Sequence, residues 1–308
     1  MTENNNDKII FSNEASEALG RRVAHCLEIP FTRVQKKFFT DGEIHHAFPE
    51  DISGRDVILV GATHNDESHQ ELIDLIDGCH YYRARTVNVV IPYLGYSTME
   101  QAKPDAIEIP KGITRTRQIF RSKPNLVAFI DLHSEAVLHA HRGDVQTQHI
   151  RTDSLIVKKI KELRLDNFVL VSPDYGRSKW VARLAGQLNA PHTAADKDRY
   201  AMDKTMVNQV ASVVKDRIAI ICDDMIRTGG SIIQTAQRCR EAGASDTILF
   251  ATHLVLAGKA REKFKEHGIG KVIGSDTYPG VENDGLLDTY SVASLVADAL
   301  RRHLNSVR

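Results

Sequence analysis

The chain has 308 residues, of which 42% are apolar, so it is long enough for two domains with full cores. Its 40 basic and 40 acidic residues cancel to zero net charge, which argues against nucleic acid or a membrane surface as a partner. The four cysteines lack metal-binding spacing. Neither an apolar leader nor an apolar run of membrane-spanning length is apparent, so we expect a cytoplasmic protein.

Apolar runs alternate with stretches of helical periodicity along the chain, which predicts an α/β fold of parallel sheets covered by helices. The predicted strands are residues 8–11, 57–60, 87–91, 126–131, 168–172, 218–222, 247–252 and 271–275. The predicted helices are residues 13–27, 69–83, 179–188, 231–242, 257–267 and 291–304. The similar rhythm of the two halves predicts an N-terminal domain of residues 1–149 and a C-terminal domain of residues 150–308, with the last helix free to pack on the N-terminal domain.

Two motifs in the first half carry functional groups. Phe39, Asp41 and Glu43 place an aromatic ring beside two acids, a combination that can stack on a purine and accept from its amino group. The alternative is a strand start beside a turn. His133 follows an apolar strand, where it could bind a metal or a phosphate. The alternative for His133 is an ordinary strand-end histidine, in a chain that has 14.

Two further motifs lie in the second half. Asp174 comes directly after a predicted strand, and Arg177 and Lys179 then bring positive charge to the opening of a helix, which could form an anion cradle. A solvated helix start is an equal alternative. Lys197 and Arg199 lie in a polar stretch that could close over a phosphoryl group, or could be a salt-bridged surface loop.

The most informative segment combines a strand, two acids and a glycine turn. The apolar run 218–222 precedes Asp223 and Asp224, which we expect at the carboxyl end of the strand, where open α/β sheets bind ligands. Adjacent carboxylates can accept hydrogen bonds from a vicinal diol or hold Mg²⁺ through water. Arg227 follows, and the next four residues open a helix whose backbone amides favour a phosphate. These four are Thr228, Gly229, Gly230 and Ser231. A diol beside a phosphate describes a ribose 5-phosphate group.

Taken together, these segments resemble the ribose-phosphate pyrophosphokinase family over nearly the whole chain. The resemblance implies two type I phosphoribosyltransferase-like domains, each a mostly parallel sheet flanked by helices, in a homodimer or homohexamer. It implies transfer of the pyrophosphoryl group of ATP to ribose 5-phosphate, with Mg²⁺ as the cofactor. The implied roles are as follows: adenine binding by Phe39, Asp41 and Glu43 from a neighbouring subunit; ATP binding by Arg177 and Lys179; metal binding by His133 and Asp174; catalysis by Lys197 and Arg199; and sugar-phosphate binding by Asp223, Asp224, Arg227, Thr228, Gly229, Gly230 and Ser231.

The chain departs from the family pattern at three places. Typical members carry an arginine and a glutamine after the Gly-Tyr pair of the ATP loop, whereas residues 97–101 here contain no cation. Arg177 stands where many members have glycine, and Arg227 stands where aspartate is usual. An arginine at position 227 adds a fork of donors that could bind another phosphate or carboxylate.

These departures leave three alternatives open. The first is the same transfer to a larger 5-phosphoribosyl acceptor, such as a nucleotide-derived sugar like ADP-ribose. The second is a regulatory homologue without turnover, which the missing cation favours and the retained acids and cations oppose. The third is a simple phosphoribosyltransferase, for which the chain is long and the motif at Phe39 has no role.

Overall fold

The computed structural model describes residues 7–102, 105–195 and 212–306. The chain divides into two compact units. Unit 1 runs to Arg151 and includes residues 277–280 and the chain from Ser291 onward, and unit 2 comprises Thr152–Asp276 and Val281–Tyr290. The chain first passes from unit 1 to unit 2 between Arg151 and Thr152, close to the predicted boundary at residue 149. That the two halves are separately folding domains stays a prediction.

The described residues form 13 strands and eight α-helices. The strands are β1 (Lys8–Ser12), β2 (Gln35–Phe38), β3 (Ile44–Ala47), β4 (Asp56–Val60), β5 (Thr86–Ile91), β6 (Leu126–Ile130), β7 (Gln146–Ile150), β8 (Phe168–Ser172), β9 (His192–Ala194), β10 (Ile218–Ile226), β11 (Asp246–Leu254), β12 (Val272–Ser275) and β13 (Leu287–Tyr290). The helices are α1 (Glu17–Leu27), α2 (Asp66–Tyr81), α3 (Lys111–Arg121), α4 (Asp153–Glu162), α5 (Tyr175–Leu188), α6 (Gly230–Glu241), α7 (Ala260–Glu266) and α8 (Ala293–Ser306). Among these described helices, none combines the length and the apolar character that crossing a membrane requires.

Unit 1 is built on a parallel sheet with the strand order β1-β4-β5-β6-β7. Its central strands are apolar on both faces because helices cover both sides. On one face, Leu72 and Ile76 of α2 and Phe120 of α3 pack into a core with Val89 and Phe129. On the other face α1 contacts β1, β4 and α8. Strands β2 and β3 form a separate antiparallel hairpin.

Unit 2 contains a second parallel sheet, with the order β13-β12-β11-β10-β8-β9. Alternate residues of its strands supply two cores. Ile221 and Leu249 face α6 and α7 through Ile233 and Phe264, whereas the opposite face packs against α4 and α5. The chain winds outward from β8 to β9 and then returns to the other side of β8 as β10. The switch of direction therefore lies between β8 and β10, which is where open α/β sheets bind ligands.

These sheets confirm the α/β class and correct several predicted boundaries. The main correction concerns β10, because Asp223 and Asp224 lie within this strand and not after it. Strand β10 pairs with β8 only as far as Ile221, but its pairing with β11 continues to Ile226. The two acids therefore lie beyond the end of one neighbour and alongside the other. The periodicity also missed α3 and α4, and it missed the strands β2, β3, β7, β9 and β13.

Candidate functional site

The two acids of β10 lie at the switch point of the unit 2 sheet and are mostly shielded from water. The side chain of Asp223 is 16% exposed and that of Asp224 is 8% exposed. The Asp223 carboxylate accepts a hydrogen bond from the backbone N–H of Asp224 at 2.8 Å. Burial, followed by the charge of Asp224 and a side-chain hydrogen bond between the two acids, raises the pKa of Asp223 well above its usual range. A hydrogen-bond donor or a cation that contacts the pair would therefore stabilise its charged form.

Arg177 supplies such a cation from the first turn of α5. Its Nη2 donates to Oδ2 of Asp224 at 2.6 Å, and its Nε lies 3.9 Å from Oδ1 of Asp223. The guanidinium is only 19% exposed. The sequence predicted Arg177 as part of an anion cradle for ATP, whereas the structure places its guanidinium beside the two acids, Asp223 and Asp224.

Helix α5 begins at a second predicted site residue. Asp174 is the N-cap, and its Oδ1 accepts the backbone N–H of Arg177 at 3.0 Å. The hydroxyl of Ser172 donates to the backbone carbonyl of Asp174 at 2.6 Å, which fixes the turn between β8 and α5. Lys179 follows on the same helix with an exposed side chain. The turn after β8 thus holds a carboxylate and two cations beside the end of β10.

The glycine turn after β10 leads directly into α6. Gly229 is the N-cap of α6 and has a φ of 77°, a left-handed conformation that favours glycine. A Cβ at this position would lie 2.6 Å from a ring carbon of Phe264, so packing also requires glycine. Thr228, Gly230 and Ser231 are exposed around this turn, and so is Arg227. Exposed amides at a helix N-terminus form a ready site for a phosphate.

The predicted adenine-binding residues lie at the tip of the β2–β3 hairpin in unit 1. Phe39 is 43% exposed, and the Nζ of Lys37 lies 4.9 Å from the centre of its ring. Asp41 accepts the backbone N–H of Glu43 at 3.1 Å, and both carboxylates face solvent. The tip therefore presents an aromatic ring and two acids to a ligand or to another molecule.

His133 lies in the turn after β6. Asp131 has a φ of 37°, and the backbone N–H of Leu132 donates to the Nε2 atom of His149 at 3.0 Å. The Nδ1 atom of His149 is in turn 2.9 Å from the carboxylate of Glu135. This network shapes the turn around His133, whose side chain is half-buried. Sequence reasoning missed His149, because no local pattern distinguishes it from the other histidines of the chain.

A cluster in unit 1 escaped the sequence analysis. Tyr96 donates to Asp66 at 2.8 Å, and the same carboxylate accepts from Arg115 at 2.8 Å. The Nζ of Lys111 lies 5.1 Å from the centre of the Tyr96 ring. Helix α3, which was not predicted, thus brings two cations to the loop whose own residues 97–101 contain none.

A metal site formed by protein side chains alone is not present in the described part of the chain. No group of three or more His, Cys, Asp or Glu side chains there could hold a metal ion. Mg²⁺ commonly binds through one or two carboxylates, several waters and substrate phosphates, so isolated donors such as Asp174 and His133 fit a metal that arrives with a nucleotide. Lys197 and Arg199, the predicted catalytic residues, lie outside the described residues.

Comparisons with known proteins cover nearly the whole chain. Residues 8–110 match the N-terminal domain of ribose phosphate pyrophosphokinase, and residues 186–307 match the phosphoribosyl synthetase-associated domain. Ribose-phosphate pyrophosphokinases of Clostridium perfringens and Gloeobacter violaceus are 30% and 32% identical to the chain. These alignments cover 97% and 95% of the chain, and 96% and 89% of the respective relatives.

A solved structure extends the similarity to three dimensions. The phosphoribosylpyrophosphate synthetase from Mycobacterium smegmatis matches with a TM-score of 0.85 and 27% identity, over 97% of this chain and 99% of that one. The agreement covers the parallel sheets of both units as well as the sequence. The chain therefore belongs to the ribose-phosphate pyrophosphokinase family.

Proposed function

We propose that this protein transfers the β,γ-pyrophosphoryl group of ATP to the C1 hydroxyl of ribose 5-phosphate. The C1 hydroxyl loses its proton to solvent and its oxygen bonds to the β-phosphorus. The bond from that phosphorus to the oxygen bridging the α-phosphate breaks, and AMP leaves. The products are 5-phosphoribosyl 1-pyrophosphate and AMP. The observation that carries the proposal is the junction of β10 and α6, where two shielded carboxylates are followed by exposed residues at a helix N-terminus.

The sugar-phosphate half of the proposal follows from that junction. Asp223 and Asp224 accept hydrogen bonds from the ribose hydroxyls, because carboxylates are the acceptors that a diol requires. The 5-phosphate binds at the start of α6, where backbone amides and the helix dipole favour an anion. Thr228, Gly229, Gly230 and Ser231 provide this cradle, with Arg227 beside it.

The nucleotide half of the proposal rests on several groups of residues. Phe39, Asp41 and Glu43 bind adenine, and in a homodimer or homohexamer the exposed hairpin serves the site of a neighbouring subunit. Lys179 contributes charge to the phosphates. Lys197 and Arg199 supply positive charge to the transferring group, because cations stabilise the charge that develops in the transition state. The cluster of Tyr96, Lys111 and Arg115 offers cations that the loop itself lacks.

The cofactor of this reaction is Mg²⁺, brought in with ATP. Asp174 and His133 are the protein groups that would hold it, and the metal would neutralise charge on the phosphate oxygens. The proposed location is the cytoplasm, which supplies both ATP and sugar phosphates.

Phosphorus NMR of the purified protein with Mg²⁺, ATP and ribose 5-phosphate tests the proposal. We expect AMP to appear together with a sugar-linked diphosphate. A sample without the sugar controls for ATP hydrolysis, and a sample with ADP-ribose tests a larger acceptor. Unchanged ATP with ribose 5-phosphate would contradict the proposal, and turnover with ADP-ribose alone would reassign the acceptor.

A further inference from the structure

Arg177 is close to both carboxylates of the candidate sugar site. Its Nη2 donates to Asp224 at 2.6 Å, and its Nε lies 3.9 Å from Asp223. All three side chains are at most 19% exposed. Arg177 thus forms a largely buried ion pair with the two acids.

Two adjacent carboxylates in such a shielded place require positive charge. The negative charges of two neighbouring carboxylates repel strongly when little water lies around them, and burial adds a desolvation penalty. Proteins meet this requirement with a proton, with a bound divalent cation, or with an arginine or lysine. In this chain the guanidinium already meets it for Asp224, and it approaches Asp223 on the same side.

Arg177 and a divalent cation would compete for the same oxygen atoms. Oδ2 of Asp224, one of the four carboxylate oxygens that a metal could use, accepts from the guanidinium at 2.6 Å. A metal ion there would also lie against a fixed positive charge, and Coulomb repulsion opposes that arrangement. The donor set therefore does not fit a Mg²⁺ ion at the acid pair while Arg177 is in place.

The position of Arg177 is set by the turn that carries it. The backbone N–H of Arg177 donates to Asp174 at 3.0 Å, and Ser172 fixes the carbonyl of Asp174 at 2.6 Å. The planar guanidinium presents several donors in a rigid fork and stays charged at all ordinary pH values. An arginine held in this way keeps the two carboxylates oriented before any sugar arrives.

We infer that Arg177 takes the place of a divalent cation at the Asp223–Asp224 pair, so that ribose 5-phosphate binds this site without metal. The inference rests on the proposed function, because it concerns the same sugar. Mg²⁺ then enters only with ATP. Arg177 is a positioning residue that acts through the two acids, and its replacement should open the pair to a metal ion.

Two measurements on the full-length protein test this. Calorimetry gives the Kd of ribose 5-phosphate with Mg²⁺ and with EDTA. Electron paramagnetic resonance counts the Mn²⁺ ions, used in place of Mg²⁺, that the protein binds in the absence of nucleotide. We expect the wild-type Kd to differ by less than about twofold between the two conditions, whereas in Arg177→Ala the removal of metal should weaken binding by about tenfold or more, because the acids lose their counter-charge. Arg177→Ala should also gain one Mn²⁺ site.

Matched variants assign any effect to the guanidinium. Arg177→Ala combined with Asp224→Asn should lose the gained Mn²⁺ site. Arg177→Lys keeps the positive charge and should gain none. Arg183→Ala removes an arginine from the same helix, where it pairs with Asp153 at 2.7 Å, and should match the wild type. Thermal unfolding of each variant checks that it folds. If Arg177→Ala does not fold, Arg177→Gln, which also removes the charge, takes its place.

The possible results separate this inference from the proposed function. Wild-type binding of ribose 5-phosphate that disappears in EDTA would overturn the inference and leave the function standing. An unchanged Mn²⁺ count in Arg177→Ala would overturn it as well. Absence of ribose 5-phosphate binding by the wild type in both conditions would contradict the proposed acceptor, while the Mn²⁺ count would still decide whether Arg177 excludes a metal.

Discussion

At the scale of single residues, Gly229 carries the tightest steric requirement of the candidate sugar-phosphate loop. Its φ is 77°, and a Cβ added there would approach a ring carbon of Phe264 to 2.6 Å. We expect Gly229→Ala to lower the free energy of unfolding by about 2–4 kcal/mol, from backbone strain plus overpacking. Urea unfolding measures this.

Gly258→Ala is the matched control for Gly229→Ala. Gly258 has a φ of 63°, but a Cβ there meets nothing within 4 Å. The control variant should therefore show backbone strain alone, about 1 kcal/mol. Equal losses in the two variants would mean that contact with Phe264 does not matter. The difference between them isolates the packing contribution at the N-terminus of α6.

The ionisation of Asp223 lowers the free energy of unfolding, so the stability of the protein depends on pH. Its pKa in the folded protein lies above the usual 3.8, mainly because of burial. Between these two pKa values the folded protein binds more protons than the unfolded chain, so stability falls as pH rises through that window. We expect Asp223→Asn to be more stable than the wild type above the window and equal to it below, as measured by urea unfolding across pH.

Asp166→Asn is the control for this profile, because it removes an exposed carboxylate from the same unit. Urea unfolding of this variant across pH shows what the loss of a carboxylate outside the acid pair does. A stability difference between Asp223→Asn and the wild type that stays constant with pH would contradict the assignment to Asp223. A difference that grows with pH would show that the acid pair lowers stability in the absence of substrate, as binding sites often do.

At the scale of elements, the β2–β3 hairpin allows its binding role to be tested without disturbing the core. Phe39 is 43% exposed, so Phe39→Ala removes little buried surface. We expect it to raise KM for ATP by about tenfold through lost stacking, with the KM for ribose 5-phosphate and the free energy of unfolding unchanged. Steady-state kinetics with each substrate varied in turn measures this.

Phe38→Ala is the control on the same hairpin. Phe38 is 62% exposed and precedes Phe39, at the end of β2. The Phe38 ring contacts Lys36 and the Phe39 ring contacts Lys37, and these two adjacent strand residues point to opposite faces. Loss of Phe38 should therefore leave the KM for ATP unchanged. Equal effects of the two substitutions would contradict specific stacking on Phe39 and would indicate a general disturbance of the hairpin.

The strands that the sequence predicted differ physically from those it missed. Central parallel strands such as β4 and β6 are apolar on both faces, so each appears as a continuous apolar run. Strands β7, β9 and β13 lie at sheet edges, where polar side chains interrupt the run. Strand β10 extends beyond its apolar run because β11 pairs with it as far as Ile226, which no local pattern reveals.

At the scale of the whole molecule, long-range contacts mark the limit of sequence reasoning. The order of acid pair, glycine turn and helix was recognisable because it lies within a few residues. The contact of Arg177 with Asp224 joins residues 47 positions apart, and it depends on β10 folding back beside β8. Charge alone could assign Arg177 to a phosphate as readily as to a carboxylate, so only the fold reveals its partner.

The four cysteines provide a test of how the two units unfold. Cys79, Cys222 and Cys239 are fully buried, whereas Cys26 is partly exposed. Burial raises the pKa of Cys79 to about 12, and burial opposed by Arg240 raises that of Cys239 to about 12. Because the thiolate is the reactive form, we expect only Cys26 to react quickly with a thiol reagent in the folded protein. Cys26→Ser should abolish the fast reaction.

The buried thiols then report on each unit separately in urea. Cys79 lies in the core of unit 1 and Cys239 in a core of unit 2. If the units are domains with independent cores, the two thiols should become reactive at different urea concentrations. Because Cys222 is a second buried thiol of unit 2, Cys79→Ser and the double substitution Cys222→Ser/Cys239→Ser, each made in the Cys26→Ser background, assign the transitions. A single shared midpoint would contradict independent domains, because one cooperative transition exposes both cores together.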